Sequence, residues 1–169
     1  MISVTVRSDV ATALRGLQPE AMQRAIAAGM TEGAQIVAGM VTEQRLTGKG
    51  PFPVEQHRLG VITGRLRQSL RAAPARIEGD RVIVSIGSPV GYAAAHEFGF
   101  DGTVTIKEHT RQAHLRRGVE VREHRVKSYS RHLVIPERAP VRTGIREHLG
   151  EFSTSIADAI KEEMNHGLA

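Results

Sequence analysis

The chain contains no cysteine and no tryptophan, and only six of its 169 residues are Phe or Tyr. Without cysteine there are no disulfides, no thiolate zinc site and no thiol nucleophile, and cysteine usage gives no guide to the redox compartment. No apolar run approaches the ~20 residues that a membrane span needs. The opening stretch MISVTVRSDVATAL lacks a basic start followed by an apolar core, so no signal peptide is expected. What is present is ordinary for a soluble protein: 40% hydrophobic and 24% charged residues. The length suits one domain over residues 1–169, large enough to bury a core.

Charge is distributed unevenly. Residues 1–102 carry eleven Lys/Arg against nine Asp/Glu, and residues 133–169 carry four against six. Residues 103–132 carry eight against three, a surplus equal to the net +5 of the whole chain, together with four of the eight histidines. Such asymmetry points to an anionic partner, either nucleic acid or an acidic protein surface. The plainer reading is a solvated surface of mixed charge.

Periodicity outlines the elements. Ile2, Val4 and Val6 alternate with polar residues and predict an opening strand. Pro19 precedes a long helical run from Glu20 to about Arg45, with Met22, Ala25, Ile26, Gly29, Met30, Gly33, Ile36, Val37, Met40 and Val41 on one stripe. Glycines on that stripe cost helix propensity but allow another backbone to come close. After an irregular loop (TGKGPFPVEQHRLG), Thr63 is expected to cap a short helix from Gly64 to about Ala73, ended by Pro74. Residues 75–79 and 81–87 predict a hairpin turning at Gly79-Asp80, and Tyr92 to Phe98 a compact turn or short helix closed by Gly99. Val104 and Ile106, then Val119 and Val121, predict a two-stranded arm over 101–134 that turns within QAHLRRG. Leu133 to Pro140 reads as an extended edge segment, and a final helix opens at Thr143 or Gly144 with Ile145, Leu149, Phe152, Ile156, Ala159 and Ile160 facing inward. The sum is an α+β fold: a small antiparallel sheet against a long N-terminal and a C-terminal helix, with a projecting basic β-hairpin arm.

No reading of the residues supports catalysis or a cofactor. Gly48-Lys49-Gly50 fails as a phosphate loop because no second Gly-Lys-Ser/Thr follows a buried strand. His96-Glu97 opens like a zinc-protease helix but lacks the second histidine at helical spacing. His109, His114, His124 and His132 sit among cations, so no metal site is expected. No serine lies in a Gly-x-Ser-x-Gly elbow.

Three short motifs in fixed order are more informative: Thr63-Gly64-Arg65-Leu66-Arg67-Gln68-Ser69-Leu70, then Tyr92-Ala93-Ala94-Ala95-His96-Glu97-Phe98-Gly99, then Ile135-Pro136-Glu137-Arg138-Ala139-Pro140. Over about residues 20–160 this series resembles the tail-completion and virion-morphogenesis proteins of tailed bacteriophages, the Mu-like neck proteins. That pattern usually has an aromatic after Pro-x-Arg, where this chain has Ala139, Pro140 and Val141. The resemblance implies a non-enzymatic subunit of the head–tail connection, made in the host cytoplasm and built into the virion neck as a ring. The sixfold symmetry of tail tubes implies a hexamer contacting other neck, connector and tail-tube proteins.

Physical roles follow for the motif residues. Thr63 caps, Gly64 lets the helix start lie close, Leu66 and Leu70 face the sheet, and Tyr92 and Phe98 bury large area. Gly99 takes positive φ, and Arg138, preorganised between Pro136 and Pro140, is placed to pair with a carboxylate such as Glu97 beside His96. The arm residues Lys107, Arg111, Arg116, Arg117, Arg122, Arg125, Lys127 and Arg131 are candidate contacts to a neighbouring protein or to DNA in a channel. The alternative is a non-specific DNA-binding module with the hairpin on phosphate; only Tyr129 in the arm could stack on a base.

Overall fold

The computed structural model describes residues 2–8, 19–48, 57–116 and 118–167. The first pieces are β1 (Ile2–Ser8), the long helix α1 (Pro19–Arg45), a short helix α2 (Arg65–Ser69), β2 (Arg71–Glu78), β3 (Arg81–Ser88) and α3 (Ala93–Phe98). Then come β4 (Phe100–Ile106), β5 (His109–Arg111), β6 (His114–Arg116), β7 (Val119–Val121), β8 (His124–Val126) and β9 (Tyr129–Ile135), followed by α4 (Pro140–Glu147) and α5 (Leu149–Gly167). The α+β class, with small antiparallel sheets, a long N-terminal helix and a C-terminal helix, is the one the sequence implied.

Helix α1 is buried on two sides. Ala25, Met22, Ile26, Val37, Met30, Val41, Ala34 and Ala38 are all buried; at 3.6 residues per turn they sweep roughly 220° of the helix. One side rests on the sheet of order β1-β3-β2, where β3 presents Val82, Val84 and Ile86 to the core. The other side receives α4 and α5. A Cβ on Gly29 would lie 2.6 Å from the Ser155 carbonyl oxygen and 2.7 Å from Ile156 Cα, and one on Gly33 would lie 3.0 Å from Phe152 Cα. The glycines of the stripe are thus the price of seating α5 directly on the α1 backbone. Ile36, placed on the stripe by spacing, is instead 38% exposed.

Three boundaries differ from the sequence reading. The helix expected to reach Ala73 stops at Ser69, because Leu70 is extended and Arg71 already pairs with Gly87 in β3. Pro74 therefore does not end a helix. It lies inside β2 at a register shift between Ala73 and Arg76, where a residue without an N–H is tolerated. The N–H of Ala75 beside it donates to Thr31 Oγ1 of α1 at 3.0 Å, tying the bulge to the helix. At the other end of the chain, helix begins at Pro140, and α4 and α5 are separated at His148.

The arm is one long hairpin. Phe100↔Ile135, Ile106↔Tyr129, His109↔Val126, Arg111↔His124, His114↔Val121 and Arg116↔Val119 all keep a single register. The ladder pauses at two places, Lys107-Glu108 opposite Lys127-Ser128 and Gln112-Ala113 opposite Arg122-Glu123. After three of the four dipeptides at these pauses a histidine reaches back: the Nδ1 of His109, His114 and His124 donates to the carbonyl two residues earlier at 3.0–3.1 Å. The expected turn in QAHLRRG is narrower than thought, since His114–Arg116 is strand. The Leu133–Ile135 part of the expected edge segment is the return strand β9. None of the described residues of 100–135 belongs to the buried core.

Gly29→Ala is expected to lower stability by about 1–3 kcal/mol through overpacking against α5, despite alanine's better helix propensity. Gly39, with nothing within 4 Å of its would-be Cβ, is the control: Gly39→Ala should raise stability by about 0.5–1 kcal/mol. Urea denaturation of both variants checks the pair.

Candidate functional sites

The root of the arm is fixed by a buried acid. Glu97, at the C-terminal end of α3, is 0% exposed. Its Oε2 accepts the N–H of Val141 at 3.0 Å and its Oε1 that of Arg142 at 2.8 Å. These are two of the N–H groups that a helix leaves without partners in its first turn, and the positive end of α4 favours the acid there. The preceding carbonyl, of His96, accepts the N–H of Arg138 at 3.0 Å and of Ala139 at 3.3 Å. Chain entering the arm is thereby clamped to chain leaving it. Gly99 completes the crossing with φ 76, as expected, and a Cβ there would lie 3.1 Å from the Glu137 nitrogen.

This corrects four expected roles. Arg138 does not pair with Glu97, whose oxygens are taken by backbone; its Nη1 donates to the Arg58 carbonyl at 3.3 Å. Tyr92 and Phe98 are 43% and 55% exposed, so neither supplies a buried anchor. Phe98 instead carries the Arg142 guanidinium 5.7 Å from its ring centre, and Tyr92 meets His96 edge-on with centroids 6.0 Å apart. Thr63 is not the N-cap. Gly64 is, in a left-handed conformation with φ 73, and Thr63 reaches α2 only through its Oγ1, which accepts the Arg65 N–H at 3.5 Å.

The three motifs nonetheless converge. A cleft of about 560 Å³ is lined by Thr63, Gly64 and Leu66 from the first, Tyr92 and His96 from the second, and Arg138 from the third. His96 Nδ1 and Arg138 Nε are buried without a hydrogen-bond partner among the described residues. Burial, and then the nearby Arg138 cation, hold the His96 imidazole below its ordinary pKa of 6.5. Pro136, by contrast, is exposed on the segment leaving the arm.

Sequence reasoning missed several residues that hold this region. His57 Nδ1 donates to the Arg138 carbonyl at 2.9 Å. Ser69 and Ser88 share a hydroxyl hydrogen bond of 2.7 Å, and Ser88 Oγ accepts the Val90 N–H at 3.1 Å, anchoring α2 to the end of β3. Ser69 stood inside the first motif, which was the only signal available; His57 had none.

Along the arm, Lys107, Arg111, Arg122, Lys127 and Arg131 are exposed and make no ion pair among the described residues. Arg125 differs, because its Nε donates to Glu108 Oε1 at 2.8 Å in an ion pair across the ribbon. Arg116 closes strand β6, and Arg117 lies outside the described residues. At the base, His132 Nε2 stands 3.0 Å from Asp101 Oδ1. No group of three or more His, Asp or Glu that could hold a metal is found among the described residues, and no described helix is long and apolar enough to cross a membrane. Compared with family models, with curated proteins and with solved structures, the chain gives no match.

Glu97→Ala should cost about 2–3 kcal/mol, because two buried N–H groups lose their acceptor. Denaturant unfolding, with hydrogen exchange at Val141 and Arg142, checks this. His96 sets a pH dependence. Its folded pKa lies below the unfolded value, so above pH 6.5 both states are neutral and it has no effect. Below that pH the unfolded state binds the proton more readily, and stability falls. His96→Gln should flatten this part of the stability profile, measured by urea midpoints between pH 5 and 7.

Proposed function

We propose that this chain is a structural subunit of the head–tail connection of a tailed bacteriophage, assembling as a ring between tail tube and head connector. The observation that carries the reading is the ribbon. It is a two-stranded hairpin from Phe100 to Ile135, outside the core, clamped at its root and open along both edges. Two strands alone are marginal in water, so such an arm gains its order from a neighbour, by adding to a sheet edge or lying on an acidic surface. The ordered motifs support the same reading. All three meet at the cleft beside the clamp, where they can brace the root of an arm. Copies joined head to tail by one such contact close into a ring when the rotation permits, six copies matching a tail tube.

A second reading, non-specific DNA binding, is favoured by the five exposed and unpaired cations of the ribbon. It predicts a logarithmic fall of affinity with salt, set by the number of phosphates neutralised. In the ring reading the same cations face an acidic neighbour or line a channel for DNA.

Replacing residues 103–132 by a short glycine linker tests the proposal. Gly102 and Leu133, the residues left at the two ends, are cross-strand partners, so a tight turn can join them. The truncated protein is expected to keep its thermal midpoint and to lose ring assembly and head–tail joining, followed by mass photometry and by infectivity of complemented particles. Assembly and infectivity at the full-length level would overturn the reading.

A further inference from the structure

The ribbon's own chain leaves it uncovered: its strands pair only with one another, and they do not pack along α5. Its leading strand, 17 residues from Phe100 to Arg116, would extend about 55 Å at 3.3 Å per residue. That is ample to reach beyond its own body. Its chemistry calls for an anionic partner, since residues 103–132 carry net +5 and most of the described cations there are unpaired. Among the other described elements, α5 carries the largest surplus of matching sign. Helix α5 bears Glu151, Asp158, Glu162 and Glu163 against Lys161 alone, a net −3 over 19 residues. Glu151, Asp158 and Glu162 recur at seven- and four-residue steps, so they share one face. That face borders the side that α1 covers, since Ser155 on the same row is buried and Glu151 half-buried, while Glu162 and Asp158, the latter beside Lys161, are exposed. The sheet side offers no such surplus, since exposed Arg71, Arg76 and Arg81 outnumber exposed Glu78 and Asp80 there.

We propose that the ribbon of one copy docks on the acidic outer face of α5 of a second copy, head to tail. This rests on the ring reading and specifies its contact. The surface offered and the surface received are different, so each copy uses both and the contact propagates until the ring closes. Attraction between the two steers association and weakens with salt.

The test is a charge swap in the full-length protein. One variant carries Lys107→Glu, Arg111→Glu and Lys127→Glu; the other carries Glu151→Lys, Asp158→Lys and Glu162→Lys. In mass photometry the wild type is expected to self-associate, more strongly at low than at physiological salt. Each variant alone should lose about tenfold or more in association affinity, while an equimolar mixture regains assembly by alternation, the basic ribbon meeting the acidic α5 face and the acidic ribbon meeting the basic one. Unchanged far-UV circular dichroism separates lost contact from lost fold. A second measurement uses the absence of native cysteine: a copy with Arg111→Cys should form a disulfide with a copy carrying Glu162→Cys under mild oxidation. A mixture that stays dissociated, together with no such cross-link, overturns the proposal. An α5 variant that assembles like wild type overturns it too while leaving the ring reading standing. A wild type that is monomeric at every salt concentration overturns self-docking and leaves assembly on a pre-existing tail. Arm variants that lose only affinity for duplex DNA overturn it in favour of the nucleic-acid reading.

Discussion

The carboxyl group of Glu97 sets the relation between the body of this protein and its arm. It is fully buried and spends both oxygens on the first turn of α4. Because it sits one residue from the His96 carbonyl that holds Arg138 and Ala139, a single short segment fixes both ends of a 36-residue excursion. An acid is well suited to this task. It accepts two backbone N–H groups at once and complements the positive end of the helix, which a neutral side chain does less well.

Below that clamp, the body is organised by a helix with no free half. α1 carries the sheet on one side and α4 and α5 on the other, and the close seat of α5 is possible because Gly29 and Gly33 have no side chain in the way. Polar ties reinforce the stack at its margins. Thr31 takes the N–H released at the Pro74 bulge, Arg45 pairs with Glu147, and His148 Nε2 donates to Gln44 Oε1 at 3.0 Å. The arm thus projects from a body whose layers are joined both by packing and by hydrogen bonds, and its root inherits that rigidity.

The distribution of charge has structural meaning. The cations concentrate on the ribbon and on the sheet side, while α5 carries the densest run of acids. Exposed pairs within one molecule contribute little to stability. Charges left unpaired in the ribbon therefore cost its fold little, and Arg125–Glu108 is the one Arg or Lys ion pair formed among its described residues.

The sequence by itself determined what local periodicity and turn chemistry control. The strand at Ile2, the long helix from Pro19, the Gly79-Asp80 hairpin and the positive φ of Gly99 were all legible, because alternation, helical spacing and glycine's missing Cβ act within a few residues. The basic character of the arm was legible as arithmetic. Only the tertiary structure decided the rest. Pairing with β3 overrode the helical pattern of residues 70–73, since a strand partner supplies hydrogen bonds that local propensity does not weigh. Glu97 was expected to meet a guanidinium and instead meets backbone, because the start of α4 brings two N–H groups that no side-chain pattern reveals. Tyr92 and Phe98 were expected inside and lie outside, as the root of the arm turns them toward the surface. Three motifs separated by up to seventy residues meet at one cleft because long-range packing, not spacing along the chain, sets which side chains become neighbours.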